Sequence, residues 1–486
     1  MSVRKSLVWT YGSQAATFFI TFGTSVVMAR LLTPREFGVF ALASATSAVL
    51  GIFLAFGVQS YLLREGELGK PLLRAVFTVN AILNVCLSLA LFVTGWVEGH
   101  IFGEPDVESV MNLTALTPLI GVFEFIPSTL YMREMRYDLI SAVTIIRTLV
   151  TAATNLTFAF LGLGATSLAT GPVAAGLVGV IIFNLKRPAD IILRPSFVGV
   201  KPIIVFGLQM MSIGGVAQLA ARVGDILLGR ILGLVTLGLY SRASNLAGLV
   251  YYNVYGLASR VVFVKLSADL REKGTLHETF LRTLQMITAA MWPILLGVAI
   301  LAGPVIRTLY GPRWVAAAGP LAMLMIAQFV VMAFGMNWEL FVLRKETARQ
   351  TRFEMIRAVV GLGAFTAGAT FSMVGAAAGR ILEALVGYFL YRPHMDRMAG
   401  TVPGELERVY GESLLLTVGA VWPSLLLMLF TRWSADTPLP WIVAAVLVGV
   451  ATWALLLVRR SHPLLREFLL IVNRKRATAH EREPAL

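Results

Sequence analysis

The stretch Ala29-Arg-Leu-Leu-Thr-Pro-Arg-Glu-Phe-Gly-Val-Phe40 lies between two long apolar windows, 8–29 and 37–63. At an offset of 200, Gly229-Arg-Ile-Leu-Gly-Leu-Val-Thr-Leu-Gly-Leu-Tyr240 repeats its layout. Further matches follow in order. Leu73-Arg74 aligns with Leu281-Arg282, and Ile101-Phe102-Gly103 with Leu309-Tyr310-Gly311, both at offset 208. Ile146-Arg147 aligns with Ile356-Arg357 at 210, and Leu163-Gly164-Ala165 with Val374-Gly375-Ala376 at 211. Arg187-Pro188 aligns with Arg392-Pro393 at 205. Each match falls at the same place relative to its apolar window, and the offset drifts only as loop lengths allow. The chain is an internal duplication.

A hydrocarbon core of about 30 Å needs roughly 20 apolar residues per helix. Such windows recur at 8–29, 37–63, 75–97, 107–132, 139–161, 166–185, 202–221, 244–264, 284–309, 316–343, 355–371, 375–391, 413–430 and 441–458. The expected fold is an all-α integral membrane protein with fourteen transmembrane helices. It has a six-helix lobe at 1–198, a second six-helix lobe at 199–395, and two extra helices with a basic cytoplasmic tail at 396–486. Six spans per repeat is an even number, so both copies insert with the same orientation. Parallel repeats about an axis along the membrane normal are a transporter arrangement.

Composition agrees. The 486 residues are 57% hydrophobic and 14% charged, against about 25% charged in soluble domains. Mean hydropathy is +0.77. Disorder is excluded, because it requires low hydrophobicity. A disulfide scaffold is excluded because Cys86 is the only cysteine; in its apolar run it is expected as a small core residue. The longest polar connections, 265–282 and 392–412, are too short for a folded catalytic unit.

The net charge of +14 needs a location. Basic residues concentrate in cytoplasmic loops. With the N-terminus inside, 29 of the 41 Lys and Arg residues fall on the cytoplasmic side, 6 outside and 6 in or at the edge of spans. This predicts N-in, C-in orientation. It places Glu98, Glu104, Asp106 and Glu108 outside. With acids included, the excess divides as +12 inside, 0 outside and +2 within the spans. The charge is therefore topological, and no nucleic-acid partner is expected. Arg4 and Lys5 precede a first window that runs past twenty residues without a small-residue cleavage site, so it reads as an uncleaved span.

The segment Ala29–Phe40 resembles the "ARxLxPxEFGxxA" signature of Wzx/WzxC-type polysaccharide flippases. These belong to the multidrug/oligosaccharidyl-lipid/polysaccharide exporter superfamily. Phe56-Gly57-Val58-Gln59, followed by Arg64, resembles that family's "GLxxAxxR" region. The six-six-two plan extends the similarity over the whole chain. The resemblance implies transport of a lipid-linked oligosaccharide, with an undecaprenyl-diphosphate repeat unit as the expected form, across a bacterial inner (cytoplasmic) membrane. It also implies a cavity between lobes lined mainly by spans one, two, seven and eight. Membrane lipids and polysaccharide polymerase or export machinery are the implied partners.

Charge inside a membrane costs roughly 2.5–3.5 kcal/mol per residue at a helix centre on insertion scales, so it normally faces a cavity or a partner. Spans seven and eight with their edges hold Arg222, Asp225, Arg242 and Arg260, with Gln218 and Asn253 beside them. Arginine suits a diphosphate because its planar fork makes paired charge-assisted hydrogen bonds, and amides suit sugar hydroxyls. These six are the candidate cavity contacts. Other readings stand beside this one. Arg222 and Asp225 are three apart and can pair with each other. Arg242 can snorkel from a helix end, and Arg260 can be a cytoplasmic anchor. Arg30 and Arg230 can cap helix C-termini, and Arg147 and Arg357 read as topological anchors. Arg380 and Glu383 are expected to pair. Gly207, Gly214, Gly215, Gly224, Pro118 and Pro127 are bending points or packing sites.

No cofactor or metal is expected. The five histidines are scattered over loops and tail, no His/Cys cluster has ligand spacing, and no GxxxxGK[ST] is present. The expected protein is a flippase rather than an enzyme. The first rival is a multidrug or cation antiporter of the same superfamily, which favours twelve spans and acidic cation sites. The second is a membrane enzyme acting on lipid-linked glycans, which favours a large external loop.

Overall fold

In the computed structural model the protein is described over residues 3–54, 57–66, 68–186 and 194–465. Side chains are described at these positions except 3–8, 10, 11, 53, 54, 186, 208–218, 221, 252–254, 256–261 and 273. Every regular element among the described residues is helical. The helices of the first half are α1 (Val3–Leu31), α2 (Pro34–Leu54), α3 (Val58–Arg64), α4 (Lys70–Phe102), α5 (Pro105–Arg133), α6 (Tyr137–Phe160) and α7 (Ser167–Lys186). Then come α8 (Val200–Leu232), α9 (Leu234–Lys273), α10 (His277–Ile300), α11 (Ala302–Tyr310), α12 (Ala318–Ala333) and α13 (Asn337–Leu343). The last are α14 (Thr347–Ala369), α15 (Met373–Ala399), α16 (Glu405–Phe430) and α17 (Leu439–Arg459).

Each predicted window overlaps helix among the described residues. Among the described residues, 10 helical segments are long and apolar enough to cross a membrane. They correspond to α2, α4, α5, α6, α7, α10, the segment through α12 and α13, α15, α16 and α17. The counterparts of windows one, seven, eight and eleven are α1, α8, α9 and α14. They are 29, 33, 40 and 23 residues long and lie outside that set. In α14 the reason is visible: its first half, Thr-Ala-Arg-Gln-Thr-Arg-Phe-Glu-Met-Ile-Arg357, is polar.

Local chemistry sets the ends. Thr33 precedes α2, with Pro34 as its first residue. The Glu36 carboxylate accepts from the Thr33 N–H at 2.6 Å and from Thr33 Oγ1 at 2.8 Å, a capping-box arrangement. In α5, Pro105 leads, with Asp106 and Glu108 in the first turn, where acids complement the helix dipole. Arg30 and Arg230 occupy the last turns of α1 and α8.

Three predicted windows are broken. Gly57, at φ 53, separates α2 from α3. Leu301 separates α10 from α11. Met336, at φ 64, precedes α13, and its N–H donates to Tyr255 Oη at 2.8 Å. Two predicted connections are mostly helix: α9 continues to Lys273, and α15 to Ala399. Between α8 and α9 only Gly233 is left, at φ 84. Glu98 falls in the last turns of α4 rather than after it, and one carboxylate oxygen accepts from Thr46 Oγ1 of α2 at 2.5 Å. One placement is corrected. Cys86 is exposed rather than core. It lies on the α4 face that also exposes Ile82, Leu89 and Val93, spacing that forms one outward stripe of a helix.

The chain divides into two compact units, 1–241 and 242–486. In the first, α4 packs on α5, α5 on α7, and α6 on α7; α1 lies against α6 and α2 against α8. In the second, α10 packs on α12, α12 on α15, and α14 on α15, with α16 between α10 and α17. The first three pairs of each unit are counterparts under the repeat, so the duplication is visible as packing as well as sequence. Polar side chains fasten helices across their faces. Ser88 Oγ donates to Ala115 O at 2.8 Å, Trp292 Nε1 to Phe329 O at 3.1 Å, and Trp453 Nε1 to Ala289 O at 3.0 Å. Away from water such bonds are the satisfied alternative to stranded polar groups.

Within the first unit the duplicated stretches meet. A Cβ on Gly38 would lie 1.8 Å from Leu234 O, and a Cβ on Gly238 would lie 1.8 Å from Pro34 O. The contact is reciprocal at the offset of the repeat. Only glycine permits backbone to approach backbone this closely.

Candidate functional site

The candidate residues occupy α8 and α9. In the first unit, Arg222 Nη1 lies 3.6 Å from the Asp225 carboxylate one turn along α8. The pair forms as the spacing allows. It is half-open: the two side chains are 43% and 24% exposed, so the guanidinium keeps donors facing outward. Gly224 is buried beside it.

In the second unit, Arg242 lies near the start of α9 and is 8% exposed. It does not snorkel. Its guanidinium sits 5.9 Å from the ring centroid of Tyr310, the last residue of α11. Tyr310 is itself 2% exposed. An arginine over an aromatic face is attracted electrostatically by the ring. This partner was available in the sequence, since Tyr310 belongs to the Leu309-Tyr310-Gly311 repeat match, but nothing in the spacing links 242 to 310. The side chains of Gln218, Asn253 and Arg260 lie outside the described residues. Of the six candidates, Arg222 and Asp225 are therefore brought together, and Arg242 is seated on an aromatic ring in the other unit.

Farther along α9, the rings of Tyr251 and Tyr255 lie 5.3 Å apart. Glu339 of α13 is buried at 1% exposure. These residues give the second unit a polar, aromatic α9 face above the α12–α13 break.

Among the described residues, Arg147, Arg357 and Arg380 are paired with carboxylates, a partner that the anchor reading of Arg147 and Arg357 did not include. Arg147 of α6 forms an ion pair with Glu124 of α5. Arg357 of α14 pairs with Glu354 at 2.9 Å and approaches Glu383 of α15 at 3.5 Å. Arg380 meets the same Glu383 at 2.8 Å, as expected from its spacing. The two arginines are repeat counterparts, and so is the space around them. A Cβ on Gly179 of α7 would lie 3.3 Å from Arg147, and one on Gly387 of α15 would lie 2.8 Å from Arg357. In each unit a glycine on the sixth helix of the repeat makes room for an arginine on the fifth. Sequence alignment showed the arginines; the glycines had no signal beyond their abundance.

Chemically, the arrangement separates two kinds of arginine. Arg147, Arg357 and Arg380 are engaged with carboxylates of neighbouring turns or helices. Arg222 retains open donors, and Arg242 is held against an aromatic ring.

Residues 27–319 match the family model described as "Polysaccharide biosynthesis protein". The chain is 23% identical over 335 residues to the succinoglycan biosynthesis transport protein ExoT of Rhizobium meliloti (strain 1021), covering 68% of this chain and 67% of that one. It is 20% identical over 298 residues to the lipopolysaccharide biosynthesis protein WzxC of Escherichia coli (strain K12), covering 59% of each. Among solved structures it is similar in fold to the lipid II flippase MurJ in an inward closed conformation. The TM-score is 0.73 at 13% identity, over 96% of this chain and 99% of that one.

Proposed function

Because the chain belongs to the polysaccharide biosynthesis protein family, we propose that it is a flippase that moves a lipid-linked oligosaccharide across a membrane for export of a surface polysaccharide. The family match over residues 27–319 carries this reading. The fold shared with a lipid II flippase over 96% of the chain supports it. The substrate form we favour is an undecaprenyl-diphosphate oligosaccharide, passing from the cytoplasmic to the external leaflet of a bacterial inner membrane.

The architecture proposed is fourteen spans, with α1, α8, α9 and α14 added to the 10 apolar segments. Six-helix lobes at 1–198 and 199–395 would work by alternating access, with two further helices beyond them. The bias of 29 basic residues to 6 supports N-in and C-in orientation.

Arg222, Asp225, Arg242, Arg260, Gln218 and Asn253 are the proposed substrate contacts. A diphosphate competes well for Arg222, because the Asp225 carboxylate sits at 3.6 Å, long for a charge-assisted bond. Asp225 then serves as the resident counter-charge that holds the guanidinium until substrate arrives. Arg242, fixed by Tyr310, offers a positive charge whose orientation is already set, so little freedom is lost on binding.

The test is a reconstituted vesicle assay that follows leaflet movement of a labelled lipid-linked oligosaccharide. Wild-type protein should move the lipid. Arg222→Glu with Arg242→Glu should abolish movement while the variant still inserts in the vesicle. Unchanged movement in that variant would sink the site assignment, and no movement by the wild type would sink the function.

A further inference from the structure

A cavity of about 220 Å³ opens at the ends of α16 and α17, well away from α8 and α9 in sequence. It is lined by Arg408, Glu412, Leu415 and Leu416 of α16 and by Arg460 and His462 at the end of α17. Both helices are apolar spans, and their ends here carry Arg408 one turn into α16 and Arg459-Arg460 at the close of α17. The cavity is therefore at a membrane–water boundary.

The chain builds this cavity deliberately. After Arg460, Ser461 takes φ 49 and reverses the direction of the backbone. The His462 N–H then donates to Leu457 O at 3.0 Å, which tucks the imidazole under α16 at 2% exposure. The Leu464 N–H donates to His462 Nδ1 at 3.2 Å. A neutral imidazole carries one hydrogen, so that hydrogen is on Nε2. Nε2 is buried and has no partner among the described residues. A buried donor without an acceptor is costly, and such groups in native proteins call for an explanation. That atom is closed to solvent, so it packs beside the cavity and leaves Arg408 and Arg460 as the cavity's donors.

The charges narrow the ligand. Glu412 is engaged, because Gln285 Nε2 of α10 donates to it at 2.6 Å. With Arg408 and Arg460 charged, Glu412 charged and His462 neutral, the lining carries a net charge of about one positive unit. A phosphodiester carries one negative charge and several acceptor oxygens. Leu415 continues from the charged rim onto the apolar flank of α16, where Val418 and Leu426 are also exposed. A headgroup at the rim would therefore have its acyl chains along that flank. Basic pockets between spans are places where anionic headgroups bind.

We propose that this cavity is a binding site for the phosphodiester headgroup of an anionic phospholipid, held by Arg408 and Arg460. None of its lining residues is among the proposed substrate contacts, and its test does not depend on flipping.

The experiment uses the full-length protein purified in neutral detergent, with thermal unfolding and native mass spectrometry as readouts. Phosphatidylglycerol should raise the midpoint relative to phosphatidylcholine and remain bound. Arg408→Gln with Arg460→Gln should keep the wild-type midpoint in phosphatidylcholine, lose most of the phosphatidylglycerol shift, and retain that lipid roughly tenfold less well. Arg432→Gln, at the opposite end of α16, should respond like the wild type. An equal phosphatidylglycerol shift in wild type and the double arginine variant overturns the site. An equal shift from millimolar inorganic phosphate without lipid overturns the lipid as its occupant.

Discussion

Single residues carry most of the electrostatic decisions in this chain. Arg357 and Arg380 converge on Glu383, and all three side chains are at most 19% exposed. Removing the shared acid leaves two cations in a poorly solvated place. Glu383→Ala should therefore destabilise the protein by about 3–5 kcal/mol, read as a lower unfolding midpoint of the purified protein. Adding Arg380→Ala should recover part of the loss. A single variant as stable as wild type would show that Glu354 alone suffices for Arg357. His462 sets a pH dependence. Burial pushes its imidazole below the ordinary value of 6.5, against a smaller upward pull from Glu412. The unfolded chain then binds the proton more readily than the folded one. The full stability is present above about pH 6.5 and declines as pH falls from there toward the folded value. His462→Phe should flatten that decline in a midpoint-against-pH series. Neither arrangement was legible in sequence. Arg380 and Glu383 could be paired by spacing, but Arg357 reaches Glu383 from another helix, and His462 had only the look of a tail histidine.

At the scale of elements, the windows were legible and their breaks were not. Hydropathy locates helices because about 20 apolar residues are required to cross. It does not register a single residue in the left-handed region. Met336 is such a residue, with the left-handed conformation falling on it and not on the adjacent Gly335. Its conformation is held from outside, by the hydroxyl of Tyr255 on α9. Tyr255→Phe removes that acceptor, leaving the Met336 N–H unpaired at a strained position. The expected cost is about 1–3 kcal/mol, with faster amide exchange confined to residues 334–338. Uniform exchange across the second unit would show that the hydroxyl does not hold the break. The glycines beside the repeat arginines behave the same way. Gly387→Leu would fill the space occupied by Arg357, so it should lower the midpoint by more than the same change at Gly363, which faces open space. The pairing of each glycine with its arginine is a three-dimensional property, and a periodicity argument has no access to it.

For the whole molecule, the duplication was the most legible feature, because ordered matches at a near-constant offset survive where single Leu and Gly matches do not. Helix packing recurs between the two units for the third to sixth helices of each repeat. Orientation rests on the distribution of Lys and Arg and is open to direct mapping. In a Cys86→Ser background, Glu104→Cys and Asp436→Cys should react with a membrane-impermeant thiol reagent in intact cells. Glu134→Cys and Gly274→Cys should react only after permeabilisation. The reverse pattern would invert the proposed topology. The candidate transport site was half legible: residue type pointed to Arg222, Asp225 and Arg242, while the Tyr310 ring under Arg242 was beyond reach of spacing. The meeting of Gly38 with Gly238 has a further bearing, on descent. After the ancestral gene doubled, most positions in the two copies were free to drift apart. These two were not, since each now forms the wall against which the other is pressed. Drift at either codon is felt at its twin, and the pair preserves the imprint of the doubling where the rest of the sequence has let it fade.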